Sequence, residues 1–243
     1  MPLFAAASPI PAEAVVAQWA ALFPNRPPLR IERQEGAQAP VEYAAGDTSL
    51  MVLQLPMPVP QDEAVHAVKT SWMWQQPDTL VRGHVAHAIV TAIPGSDPVG
   101  AAWDVARLST AILKAGSGVA LYWGNGRQVH TVAVVEQFAA EPETPPVPLW
   151  VGVTISGESP SGPFSAATHG LASLGHKEFE VRGTKMSVGD IRTTLLDLAL
   201  YVLEGAVLEH GQTLGPSAEE KWSIRHEASK LVRGREAIVV GIP

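Results

Sequence analysis

The sequence predicts an α+β fold: a mixed, largely antiparallel sheet with helices mainly on one face, with two related halves as an alternative arrangement. Three observations lead there. Helical and strand periodicities alternate along the chain. Several neighbouring strands have no helix between them. The 21 Gly and 21 Pro punctuate apolar segments as turns instead of gathering into a low-complexity tract. With 46% hydrophobic and 17% charged residues, 243 residues suffice for a substantial core. We read a single domain over 1–243, with subdivision possible near 75–83 or at the proline-rich connector 141–148.

The elements follow in order. Met1 to Ser8 is a first strand. Pro11 and Glu13 open a helix whose Val15, Val16, Trp19, Leu22 and Phe23 share a face, and Pro24 with Pro27 and Pro28 stops it. Leu29–Arg33 alternates as a half-exposed strand, and Ser49–Leu55 is more uniformly apolar and reads as the more central strand. A short helix around Asp62–Val68 leads to the loop bearing Trp72-Met73-Trp74. His84–Ile93 is a buried strand closed by Pro94-Gly95. Asp97 caps the next helix with Pro98 at its first position, and the helix ends before Gly116. Val119–Trp123 is a strand, Arg127–Ala140 a short helix, and Pro142, Pro145, Pro146 and Pro148 a stiff connector. Leu149–Ile155 and Lys177–Arg182 are strands. A capping box, Ser187-Val188-Gly189-Asp190, starts a long helix, and the end, through Trp222–Arg225 and Ala237–Ile242, adds one or two strands.

Charge and composition exclude several functions. The net charge of −7, from 17 Lys+Arg against 24 Asp+Glu, repels nucleic acid and attracts basic partners. No Cys means no thiolate nucleophile and no zinc-thiolate site, in keeping with a reducing, cytoplasmic location. The apolar stretch Ile191–Leu208 contains Arg192, Asp197 and Glu204 and is not a membrane span, because a central charge costs ~2.5–3.5 kcal/mol there.

The segment Thr168–Glu180 resembles a reactive site and fits no template. Gly170 and Gly175 have phosphate-loop spacing, but His176, Lys177 and Glu178 follow, so the lysine comes one residue late and no hydroxyl follows it. Gly157-Glu158-Ser159-Pro160 lacks the second glycine of a nucleophile elbow. His84 and His87, three apart on a strand, point to opposite faces and do not chelate one ion. His169 and His176 with Glu178 and Glu180 form a conceivable oxygen and imidazole set for a metal-dependent enzyme or small hydrolase. Against that stands a structural reading, in which the two glycines make turns and Leu171, Leu174 and Phe179 point inward. Of seven Trp, Trp19, Trp103 and Trp150 belong to patterned core elements, whereas Trp72 and Trp74 lie in a polar-flanked loop and offer themselves as interface anchors.

The motifs Ser71-Trp72-Met73-Trp74, His87-Ala88-Ile89-Val90-Thr91, Leu149-Trp150-Val151-Gly152-Val153, and Thr168-His169-Gly170-Leu171 with Glu178-Phe179-Glu180 together resemble an uncharacterised bacterial family of domains of unknown function. The resemblance runs from about Ser71 onward and implies no activity or catalytic residue. The acidic, cysteine-free composition is also similar to that of immunity proteins paired with toxins of type VI and contact-dependent secretion. The expected function is therefore a cofactorless, non-catalytic protein that neutralises a basic toxin domain, with Trp72, Trp74, Glu178 and Glu180 at the partner. The enzyme built on His169, His176, Glu178 and Glu180 is the alternative, and a structural part of a larger assembly is a third possibility.

Overall fold

The computed structural model describes all residues except 37–38, 75–77, 94–96, 141–143, 158, 160, 216, 218–219 and 243. The expected strand closure at Pro94-Gly95, Pro142 of the connector, and Glu158 and Pro160 of the failed elbow lie outside the described residues. The fold is α+β, with two largely antiparallel sheets. The chain forms two compact units, Met1–Leu149 and Trp150–Pro243, and the division follows directly on the proline-rich segment.

In the first unit, strands β1 (Pro2–Phe4), β2 (Leu29–Gln34), β3 (Val41–Ala45), β4 (Thr48–Leu55), β5 (Ala86–Ala92), β6 (Ala120–Trp123) and β7 (Gln128–His130) form one sheet in the order β2-β3-β4-β5-β1-β6-β7. Every pairing in it is antiparallel. Alternation along the strands sends residues to two different cores. Phe4, Val41, Tyr43, Leu50, Val52, Ala86 and Ala88 meet Trp19 of helix α1 (Ala12–Leu22) and Leu108, Ala111 and Ile112 of a later, longer helix. Leu3, Tyr122 and Val129 meet a second, smaller cluster with Val59, Ala64, Ala67 and Val81. Of these, Ala64 and Ala67 come from α2 (Glu63–Ala67) and Val81 from α3 (Asp78–Arg82), two short helices within the 56–85 connection.

The longer helix, α4 (Pro98–Ala115), begins as expected, with the Asp97 carboxylate accepting from the Gly100 N–H at 2.8 Å. It packs on α1 and on α5 (Val132–Ala140) as well as on the sheet, and is buried nearly all round. Charges inside it are therefore paired: Arg107 donates to Asp104 (3.1 Å), Asp104 accepts from the Thr48 hydroxyl (2.8 Å), and the guanidinium lies 4.9 Å from the centre of the Trp103 ring.

In the second unit, reached through the single turn α6 (Val147–Trp150), strands β8 (Gly152–Gly157), β9 (Phe164–His169), β10 (Glu178–Thr184), β11 (Thr213–Leu214), β12 (Trp222–Ala228) and β13 (Glu236–Gly241) run in the order β11-β12-β13-β10-β9-β8. Only β10 and β13 pair in parallel. Helix α7 (Val188–Leu203) packs on β8, β9 and β10 through a face that includes Ile191, Leu195 and Leu198. No helix among the described residues is long and apolar enough to cross a membrane.

The two units share a plan. In each, a central strand is followed by a helix and then by an antiparallel meander that returns beside that strand. Four meander strands bring β5 back antiparallel to β1, and three bring β13 back parallel to β10, since each added strand reverses direction.

Several sequence expectations are corrected. Residues 128–130 are strand β7, and the helix starts only at Val132, because the Thr131 hydroxyl accepts from the Val134 N–H (3.2 Å) and caps it there. Leu149 and Trp150 are helical, so the expected strand begins at Gly152. Strand β3 went unpredicted, although Val41, Tyr43 and Ala45 alternate inward ahead of a turn where Gly46 takes a φ of 59°. Ser187 caps α7 through the Asp190 N–H, but the Asp190 carboxylate takes the Ser187 hydroxyl in place of a backbone amide.

Candidate functional site

The Thr168–Glu180 segment folds as a β9-to-β10 connection built around a buried carboxylate. At the end of β9 the backbone reverses through Gly170 (φ 119°), makes a 3-10 turn over Leu171–Leu174, and reverses again at Gly175 (φ 87°). Leu171, Leu174 and Phe179 are buried. Glu178, 4% exposed, accepts from the Thr168 hydroxyl (2.7 Å) and from the N–H groups of Gly170 (2.9 Å) and Ala172 (3.1 Å). Thr168 Oγ1 in turn accepts from the Phe179 N–H at 2.8 Å, which closes the loop onto its own strand. The carboxylate thus satisfies the free amides of the turn, as a helix cap does.

Gly170→Ala forces a side chain into this left-handed conformation. The expected result is a loss of about 1 kcal/mol or more, measured as a lower urea midpoint with unchanged slope.

Glu180 lies two residues further along β10 and is 0% exposed. Arg182 Nε donates to it at 2.5 Å, the Lys230 and Leu231 N–H groups donate at 3.1 and 3.4 Å, and the Ser229 hydroxyl donates to the same carboxylate. Burial alone raises a carboxyl pKa. Here the bonds from Ser229, Arg182, Lys230 and Leu231 outweigh it and hold Glu180 below the usual carboxylate range. Arg182 also donates to Glu227 at 2.7 Å.

These positions correct the expected partner contact at Glu178 and Glu180. Both side chains are inside the fold, and their oxygens are already committed to internal donors. The metal alternative loses both of its carboxylate ligands for the same reason. His169 is buried, and His176 is half-buried, its backbone N–H donating to the Leu171 carbonyl (3.0 Å). No group of three or more His, Asp or Glu among the described residues could hold a metal ion.

The two tryptophans separate. Trp74 packs partly buried against the smaller core cluster of the first unit, whereas Trp72 is 41% exposed. The backbone leading into Trp72 is held by side-chain hydrogen bonds. The Ser71 hydroxyl donates to the Ala67 carbonyl (2.6 Å) and accepts from the Val129 N–H (2.8 Å), and Thr70 Oγ1 donates to the Arg127 carbonyl (2.8 Å). Sequence reasoning missed the other exposed apolar side chains of the same connection. Met57, Leu80 and Val85 are also exposed, so four of the ten large exposed apolar side chains among the described residues fall in the 56–85 connection. The prolines at 56, 58 and 60 were the available signal, since they mark an irregular segment that cannot bury all its apolar groups in sheet pairing.

His84 and His87 are structural. His84 accepts from the Val59 N–H (2.9 Å) through Nε2 and donates to the Val81 carbonyl through Nδ1, while His87 Nδ1 donates to the Met57 carbonyl at 2.7 Å. His130 is 1% exposed, and burial pushes its pKa down to about 4, against a weaker opposing influence of the Leu149 backbone. Burial likewise lowers that of His87. The folded protein therefore resists protons that the unfolded chain accepts. The stability carried by these neutral rings is complete above about pH 6.5 and is lost as pH falls toward 4. His130 alone makes this roughly 3 kcal/mol, and His130→Gln should flatten the decline in melting temperature between pH 6.5 and 4.

Residues 167–241 match the model of a domain of unknown function (DUF4261). The resemblance to an uncharacterised domain family is thus shown for the unit that carries Thr168–Glu180, whereas the motifs at Ser71, His87 and Leu149 lie outside the matched segment. Neither a curated protein nor a solved structure matches the chain.

Proposed function

We propose that the protein is a non-catalytic, cofactorless binding protein that acts in the cytoplasm, an immunity protein that occludes a basic toxin domain of a type VI or contact-dependent system. The observation that carries this reading is the exposed apolar set of the 56–85 connection, with Trp72 on a hydrogen-bonded turn. Charge adds to it. Met1–Leu149 holds 8 Lys+Arg against 13 Asp+Glu, so the acidic excess is concentrated in the unit that presents Trp72. An acidic field speeds capture of a basic partner, and a rigid aromatic anchor lengthens the life of the complex. The enzyme alternative at His169, His176, Glu178 and Glu180 draws no support from the geometry, because both carboxylates are taken up by backbone and side-chain donors.

The test is affinity capture from the native cell with mass spectrometry, followed by co-expression. The expected result is a basic toxin domain bound at one-to-one stoichiometry and growth rescued by this chain. Capture of only acidic or nucleic-acid-bound proteins, or a bound partner whose activity is undiminished, contradicts the proposal.

A further inference from the structure

We propose that the cleft beside His87 is a binding site for a small, largely apolar group carrying one neutral O–H or N–H donor, with phenol as its simplest form. The cleft has a volume of about 100 Å³ and opens between the turn after β1 and the end of β4, where Phe4, Pro9, Leu55 and Pro56 give it carbon walls and His87 is part of its lining. Its shape is fixed before anything binds. The Gln54 side chain holds both backbone groups of Ile10, Oε1 accepting from the N–H and Nε2 donating to the carbonyl, each at 2.8 Å.

The chemistry comes from His87, which is 2% exposed. A carbonyl can only accept, so the ring proton that meets the Met57 carbonyl is on Nδ1 and the lone pair of the neutral ring is on Nε2. No described residue donates to that nitrogen. Nε2 is not among the fully buried side-chain atoms that lack a partner, so it is reached from the cleft, and a ligand that brings a donor there completes its hydrogen bonding. Burial foremost, with the neighbouring His84 and the Met1 amine, outweighs the Met57 bond and keeps the ring neutral at pH 7, so the acceptor is available.

Selectivity follows from the same geometry. An anion would face the Nε2 lone pair, and a cation would find no carboxylate in the lining to offset its desolvation. Size limits the ligand to one ring at most: the cleft, at about 100 Å³, is smaller than the ~150 Å³ cavity that encloses benzene, so a bound ring stays partly in the mouth. The inference concerns a different surface from Trp72 and does not rest on the immunity reading.

The test titrates phenol and anisole into the full-length protein at pH 7.5, following the imidazole nitrogens of His87 by NMR. Anisole keeps the ring and lacks the donor. The expected result is a saturable shift of Nε2 with phenol and binding at least about tenfold weaker for anisole. Equal affinities, or no shift at His87, overturn the proposal on the unmodified protein alone. Two variants sharpen it. His87→Gln keeps an acceptor near Nε2 and retains phenol binding, whereas His87→Asn keeps a donor near Nδ1 and loses it; the reverse order refutes the assignment. N-acetyltyrosinamide binding as tightly as phenol identifies a protein side chain as the natural occupant. Its exclusion while phenol binds identifies a free small molecule.

Discussion

Glu180→Ala is expected to destabilise the protein by about 3 kcal/mol. The carboxylate accepts from four groups on two separate segments, Arg182 on its own strand and Ser229, Lys230 and Leu231 after β12. Removing it leaves the Lys230 amide and the Arg182 Nε–H without their acceptor, although Leu231 keeps Ser229 Oγ and Arg182 keeps Glu227, and an orphaned buried donor costs ~1–3 kcal/mol. Glu227→Ala is the control. Glu227 shares Arg182, but its side chain is 34% exposed, and an exposed pair contributes less than about 1 kcal/mol. Urea denaturation should separate the two variants clearly. The sign with pH is also determined. Because the folded state holds Glu180 below the ordinary carboxylate range, its contribution is present above that range and lost as pH falls through the folded value, so wild type and Glu180→Ala should converge in acid.

Trp72→Ala is expected to leave the fold intact and to weaken partner binding by about 2 kcal/mol or more, which is roughly 30-fold in Kd. The two tryptophans are predicted to behave oppositely. Trp74 packs on the cluster of Val59, Ala64, Ala67 and Val81, so its removal opens a gap there and costs stability first. Trp72 contributes exposed area on a turn already fixed by Ser71 and Thr70, so little ordering remains to be done when a partner arrives. Replacing both at once, as the sequence alone suggests, would mix a packing loss with a binding loss.

Much of the fold was legible because its signals are local. The Asp97-Pro98 start of α4, the apolar stripe of α7 and the proline stop after α1 all act within a turn or two of chain. What escaped depends on distant partners. β7 is three residues long and is a strand only because β6 pairs with it, and β9 exists between β8 and β10 although its own Phe164–His169 sequence has little to mark it. The division of the strands into two sheets is likewise set by pairing that no single segment announces. The candidate site was half legible for the same reason. Turn glycines at 170 and 175 and inward Leu171, Leu174 and Phe179 followed from residue type. The alternation that puts Glu178 and Glu180 on one face of a strand says nothing about whether that face is wet, and their donors come from up to about fifty residues away.

On the proposed function, Trp72 anchors a partner at an exposed position of the 56–85 connection. The direct measurement is paired: thermal unfolding of Trp72→Ala, and its Kd, by calorimetry, for the basic protein recovered by capture. The account predicts a melting temperature within a few degrees of wild type, since a surface change is worth about 0.5 kcal/mol or less, together with a Kd weakened roughly 30-fold. An unchanged Kd, or a loss of several kcal/mol of stability, would contradict it.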